Sequence, residues 1–216
     1  MSVNIFKDEF LRCLMCRKTE VVEDQLKHNN FKMILNVELN NEVEVPVYHL
    51  IEPKDEHSKI KFLHYNEFPD GVFIKKLSEH EYKIYVIEIK RDITKHLDKI
   101  PKQLHSGILH AISVIKMSEA QIDFNKNTIF ENQEIKIDYE LIVCSGKKVL
   151  YSTPKKVIPG KPVESNVLLK LLRDSNKVRH NLKGKELVEL PVKVVILEET
   201  VGDNGKEFYE GSILLA

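Results

Sequence analysis

The chain has 216 residues, 42% of them hydrophobic and 31% charged, a composition that builds a core without disulfide or metal staples and excludes a mainly disordered protein. Its 33 basic and 33 acidic residues cancel, so overall charge points to no particular partner. No run of about 18 apolar residues occurs, and charges break "MSVNIFKDEFLRCLMCRK" before a signal-peptide core can form; the expectation is a cytoplasmic protein with no membrane partner.

In chain order, Phe6, Phe10, Cys13 and Leu14 predict an N-terminal helix from about Val3 to Arg17. Cys13, Cys16 and Cys144 are odd in number, and the lone C-x-x-C has no second Cys/His pair at metal spacing. The odd count points to a reducing interior, and Cys13, with Cys16 beside it, reads as a structural thiol on the inward face of that helix, with a zinc or redox site as the competing reading. "FKMILNVEL" and "VEVPVYHLI" then predict two strands joined by a hairpin turn at Asn40-Asn41. A polar loop spans Glu52 to Lys59, followed by the strand-like "IKFLHYNEF" and the alternating pair "GVFIKKL" and "YKIYVIEIK". A short turn at Ile93 to Lys99 precedes a helix that begins near Pro101 and reaches about Met117. "EIKIDYELIVCSG" and Val149 to Tyr151 read as strands. Glu164 to Asp174 reads as a helix, and "VELPVKVVILEE" and "GSILLA" close the chain as strands. The pattern predicts an α/β fold: one domain with a central mixed sheet flanked by helices, its core over about 3–150 and a C-terminal extension over about 151–216 packed on it.

Charge is unevenly spread. From Lys147 to Lys185 there are eleven Lys or Arg against Glu164 and Asp174, a net +9 that the rest of the chain balances. Lys147, Lys148, Lys155, Lys156, Lys170, Arg173, Lys177 and Arg179 are therefore candidate phosphate contacts, with a solvated lysine-rich surface as the competing reading.

The stretch "FPDGVFIKKLSEHEYKIYVIEIKRD" carries the candidate chemistry. Seventeen residues separate Asp70 from Glu88, and "SEHE" supplies a turn between two alternating runs. A turn centred there pairs residues whose numbers add to about 159, which sets Asp70 opposite Ile89, between Glu88 and Lys90. Glu88 and Lys90, two apart, share one strand face. Two adjacent carboxylates repel unless a cation intervenes, and a hard ion such as Mg²⁺ or Mn²⁺ takes oxygen ligands while keeping waters for a phosphate substrate. Lys90 adds positive charge for the attacking water or the transition state, and the grouping suits phosphodiester hydrolysis.

Pro69-Asp70, seventeen residues, then Glu88-Ile89-Lys90 resembles the signature of the PD-(D/E)XK nuclease superfamily, the restriction-endonuclease-like fold. The resemblance covers about Asn66 to Ala111. It implies a Mg²⁺-dependent or Mn²⁺-dependent nuclease with DNA as the favoured substrate, working as a homodimer or with a partner subunit. Asp70 and Glu88 would hold the metal with help from the Ile89 carbonyl, Lys90 would serve catalysis, Gln103 on the following helix would support the site, and Glu9 would add an acidic ligand from the N-terminal helix. The alternative is a non-catalytic module of the same fold that binds nucleic acid or a protein partner. His105 and His110, five apart, do not share a helical face and do not read as a metal pair. "SGKK" at 145–148 lacks the earlier glycine and following Ser or Thr of a phosphate loop.

Overall fold

The computed structural model describes residues 10–40, 45–52, 67–93, 96–119, 121–123, 128–130, 134–146, 171–172, 174–182, 186–202 and 205–216. The elements, in chain order, are β1 (Leu11–Leu14), β2 (Lys18–Asp24), β3 (Phe31–Leu39), β4 (Val47–Leu50), β5 (Gly71–Lys76), β6 (Glu81–Ile89), α1 (Ile100–Glu119), β7 (Gln121–Asp123), β8 (Thr128–Phe130), β9 (Lys136–Gly146), β10 (Lys177–Leu182), β11 (Glu186–Pro191), β12 (Lys193–Val201) and β13 (Glu207–Leu215). Nine strands form one mixed sheet in the order β1-β4-β5-β6-β9-β12-β13-β3-β2, while β7–β8 and β10–β11 are separate pairs.

Alternation along β6 explains how the sheet buries both faces. Tyr82, Ile84 and Val86 share a core with Leu104, Ala111 and Ile115 of α1, whereas Tyr85, Ile87 and Ile89 pack with Met33, Leu35 and Val37 of β3 inside the curl of the sheet. That curl is tight. A Cβ on Gly71 of β5 would meet Val21 of β2 at 2.9 Å, although the two strands lie far apart in the strand order. The fold is thus mixed α/β around one large sheet, as the sequence predicts. Among the described residues, however, only one long helix covers the sheet, and the opposite face is closed by the sheet itself. C-terminal β12 and β13 lie within this sheet, between β9 and β3.

Three other expectations need correction. Where a helix was expected over Val3 to Arg17, Leu11–Leu14 is a strand paired with β4; residues 1–9 lie outside the described residues. Leu11 goes to the α1 side of the sheet and Leu14 to the interior of the curl, so a spacing of three that fits one helical face also fits the two faces of a strand. The Asn40-Asn41 hairpin is absent, because β3 pairs with β2 and β13 while β4 pairs with β1 and β5. The hairpin lies upstream instead, between β2 and β3, where Asn30 takes φ 57° in the turn. "VELPVKVVILEE" is not one strand. Pro191 ends β11, the Val192 N–H donates to the Asn176 carbonyl at 2.8 Å, and β12 continues into the main sheet parallel to β9.

The helix after the motif forms as expected, from Ile100, with Pro101 in its first turn. "IKFLHYNEF" up to Asn66, the Val149 to Tyr151 strand and most of the Glu164 to Asp174 helix lie outside the described residues; Leu171, Leu172, Asp174 and Ser175 are helical.

Gly107 fixes how closely α1 approaches the sheet. A Cβ there would meet Val86 at 2.6 Å and the Pro69 ring at 2.8 Å. Gly107→Ala is therefore expected to destabilise the protein by about 1–3 kcal/mol through overpacking, against which roughly 1 kcal/mol of helix propensity is regained. Urea denaturation checks this: an unchanged or raised midpoint would show that α1 has room to move.

Candidate functional site

β5 and β6 pair in a register where Gly71 faces Ile87, so paired numbers add to 158 and each pairing is one residue away from the expected register. The turn is a residue tighter than "SEHE" suggests, with the Leu77 N–H donating to the Glu81 carbonyl at 2.8 Å. The convergence survives because Asp70 lies just before β5, where its side chain reaches across: Asp70 Oδ2 accepts the Ile89 backbone N–H at 2.7 Å. β9 runs parallel to β6 on its other side and extends to Gly146. Its Cys144 carbonyl accepts the Lys90 N–H at 3.0 Å, and the Ser145 hydroxyl donates to the Lys90 carbonyl at 2.9 Å. The site thus sits at the carboxyl ends of two parallel strands, the usual place for ligands in open α/β sheets.

The Lys90 ammonium contacts three oxygens. It is ion-paired with Glu88 Oε1, lies 3.4 Å from Asp70 Oδ2 and donates to the Ile89 carbonyl at 3.1 Å. Glu88 is fully buried, while the Asp70 and Lys90 side chains keep 23% and 14% of their surface in contact with solvent. Burial and the neighbouring Asp70 carboxylate push Glu88 up to about 8, against the downward pull of Lys90. Asp70 is also raised, by burial, with Lys90 and the Ile89 amide opposing. For Lys90, burial works downward, but the Asp70 and Glu88 carboxylates outweigh it and hold the ammonium up at about 12. One positive charge therefore serves two carboxylates, and burial with Asp70 alongside favours the protonated form of Glu88 more than in an ordinary glutamate.

Gln103 lies in the first turns of α1, buried, with its Nε2 3.5 Å from the Phe68 carbonyl and its Oε1 buried without a hydrogen-bond partner. It braces the segment that leads into Asp70. Two acidic residues escaped the sequence reading. Glu23 of β2 is raised by burial and feels both Lys90 and Asp70, and its Oε2 is buried without a partner. Glu52, just after β4, acts on Asp70. The signal for Glu23 was the alternating "KTEVVED", where Val21 packs on Gly71 and Glu23, two residues on, takes the same strand face. Ser145 and Arg91 were missed too; Arg91 pairs with Glu207 of β13 at 2.8 Å and lies over the Phe31 ring, tying the residue after Lys90 to the far side of the curl.

Glu9 and the basic residues Lys147, Lys148, Lys155, Lys156, Lys170 and Arg173 lie outside the described residues. Lys177 and Arg179 are described, and each pairs at 3.2 Å with Glu189 across the β10–β11 hairpin. Ion pairs this exposed contribute little to stability. Among the described residues no helix is long and apolar enough to cross a membrane, and no group of three or more His, Cys, Asp or Glu side chains is arranged to hold a metal ion.

No family model, curated protein or solved structure matches this chain.

Proposed function

We propose that the chain is a Mg²⁺- or Mn²⁺-dependent nuclease, with DNA as its favoured substrate, built on a restriction-endonuclease-like core. The observation that carries this is the convergence of Asp70 Oδ2, Glu88 Oε1 and the Ile89 carbonyl on one ammonium, because these are the oxygens that the motif resemblance assigns to the metal. The surrounding topology supports it: a hairpin carrying the acidic residues, a helix that follows and packs on the sheet, and a strand that returns parallel to the second hairpin strand.

The residues present fit a hard divalent ion. All three donors are oxygens, two carboxylates suffice for an ion that retains several waters, and Glu88 is raised first by burial and then by the Asp70 carboxylate, a strain that a cation would relieve. When bound, such an ion supplies polarisation of the phosphodiester and a more acidic attacking water. Asp70 and Glu88 would hold it, with the Ile89 carbonyl. With the ion in place, Lys90 would be released from these oxygens, and its charge would be available to stabilise the negative charge that develops on the phosphate in the transition state. In the ion-free state Lys90 is protonated, so it is a charge donor there and not a base. Gln103 keeps Phe68 and the following Asp70 in place.

A second reading is a non-catalytic module of the same fold that binds nucleic acid or a protein. It is favoured by the way Lys90 already occupies the carboxylate pair, and by Lys177 and Arg179 on the outer face of the β10–β11 hairpin. The experiment that separates the two is incubation with single- and double-stranded DNA and RNA in Mg²⁺, Mn²⁺ or EDTA, beside a Glu88→Ala/Lys90→Ala control. Cleavage that needs metal and vanishes in the control supports the nuclease. Salt-sensitive binding with no cleavage of any substrate supports the module.

A further inference from the structure

His105 and His110 do not act together. His110 Nδ1 lies 2.7 Å from the Ser106 carbonyl, and its ring meets Phe68 edge-on. His105 faces a residue 75 positions away: its Nδ1 is 3.1 Å from Nε2 of His180, with the two rings 69° apart and their centroids at 5.1 Å. His105 is on α1, and His180 is on β10 and almost fully buried, so both belong to regular elements.

We propose that His105 and His180 form a nitrogen-ligated site for a divalent transition ion such as Zn²⁺, chemically distinct from the oxygen site at Asp70 and Glu88. Zn–N bonds of about 2.0–2.1 Å at a tetrahedral angle put two ligand nitrogens about 3.3 Å apart, close to the separation already present. In the hydrogen bond between the rings one nitrogen donates and the other accepts. Coordination would require each ring's proton on the nitrogen facing away from its partner, so that both facing atoms present lone pairs and no net proton is released. Both rings are biased toward the neutral form that binds metal. Burial lowers the pKa of each, and His180 is lowered further by His105 and Lys102. Imidazole pairs select Zn²⁺, Cu²⁺ or Ni²⁺ over Mg²⁺, and waters would complete the coordination. The ion would pin the β10–β11 hairpin, which carries Lys177 and Arg179, to the helix that bears Gln103.

The test uses the full chain carrying Glu88→Gln, so that the oxygen site does not contribute, stripped with chelator and titrated with Cu²⁺ or Zn²⁺. One equivalent of Cu²⁺ should give an electron paramagnetic resonance spectrum coupled to two imidazole nitrogens. Excess Zn²⁺ should raise Tm by several degrees where Mg²⁺ does not. Both effects should be lost on adding His180→Gln or His105→Gln. A Zn²⁺ shift that persists in those variants overturns the site. Should the variants not fold, the Cu²⁺ spectrum of the unsubstituted pair decides, and the absence of two-nitrogen coupling overturns it. Neither failure touches the nuclease reading, which depends on Asp70, Glu88 and Lys90.

Discussion

Lys90→Met is expected to lower metal-dependent cleavage by about 10²–10³-fold in kcat, the loss typical of removing one preorganised donor at a developing negative charge. Methionine keeps much of the lysine stem but contributes no charge. Lys90→Arg should not rescue activity, because a planar guanidinium does not fit where one nitrogen reaches an oxygen of Glu88, Asp70 Oδ2 and the Ile89 carbonyl. The informative comparison is kcat against Mn²⁺ affinity. In the metal-free protein Lys90 competes for the oxygens a cation would use, so Lys90→Met should bind Mn²⁺ at least as tightly as the wild type while cutting far more slowly. Full activity in Lys90→Met would remove Lys90 from the chemistry.

The second large effect is on stability and needs no substrate. Glu88 has a folded pKa of about 8 against an ordinary 4.5. Below about pH 4.5 it is protonated in both folded and unfolded chains and costs nothing. As pH rises from 4.5 through 8 the unfolded chain loses the proton while the folded chain keeps it, so stability falls across that window and levels off above it. Glu88→Gln removes this loss. In EDTA the variant should match the wild type near pH 4.5 and exceed it by an amount that grows to a few kcal/mol at pH 8, since each tenfold difference in proton affinity between the folded and unfolded chains is worth about 1.4 kcal/mol. His49, stacked on Phe73 at 4.5 Å, acts in the opposite sense: burial, with Arg12, depresses it to about 4, so stability is lost as pH falls from 6.5 toward 4. That loss is common to both proteins and cancels in the difference. Urea midpoints of the two proteins from pH 5 to pH 8.5 check this, and parallel curves would mean that Glu88 is not a strained carboxylate.

The β5–β6 hairpin was legible because its information is local: two alternating runs, a polar turn, and charges two apart at the end of an apolar strand. A one-residue error in register did not hide the site, since Asp70 lies beyond the ladder and reaches Ile89 with its side chain. The β6-α1-β9 unit was legible for the same reason, with Pro101 marking the helix start. The N-terminal half was not. "LRCL" satisfies helical and extended spacing equally, and pairing with β4, some 36 residues away by Cα register, decides in favour of the strand. With β1 and β2 unrecognised, Glu23 could not be placed near Asp70, and an acidic contribution was sought from Glu9 instead. The His105–His180 contact was equally out of reach, because nothing local ties α1 to a strand 75 residues on.

The measurement that bears most directly on the carboxylate site is anomalous scattering from crystals soaked in Mn²⁺, wild type beside Glu88→Gln. The nuclease reading predicts a Mn²⁺ peak between the Asp70 and Glu88 carboxylates, with the Lys90 ammonium displaced from them, and no peak there in the variant. Crystals saturated with Mn²⁺ in which Lys90 still bridges both carboxylates and no peak lies between them would contradict it, and would make this a self-neutralised ion cluster in a binding module.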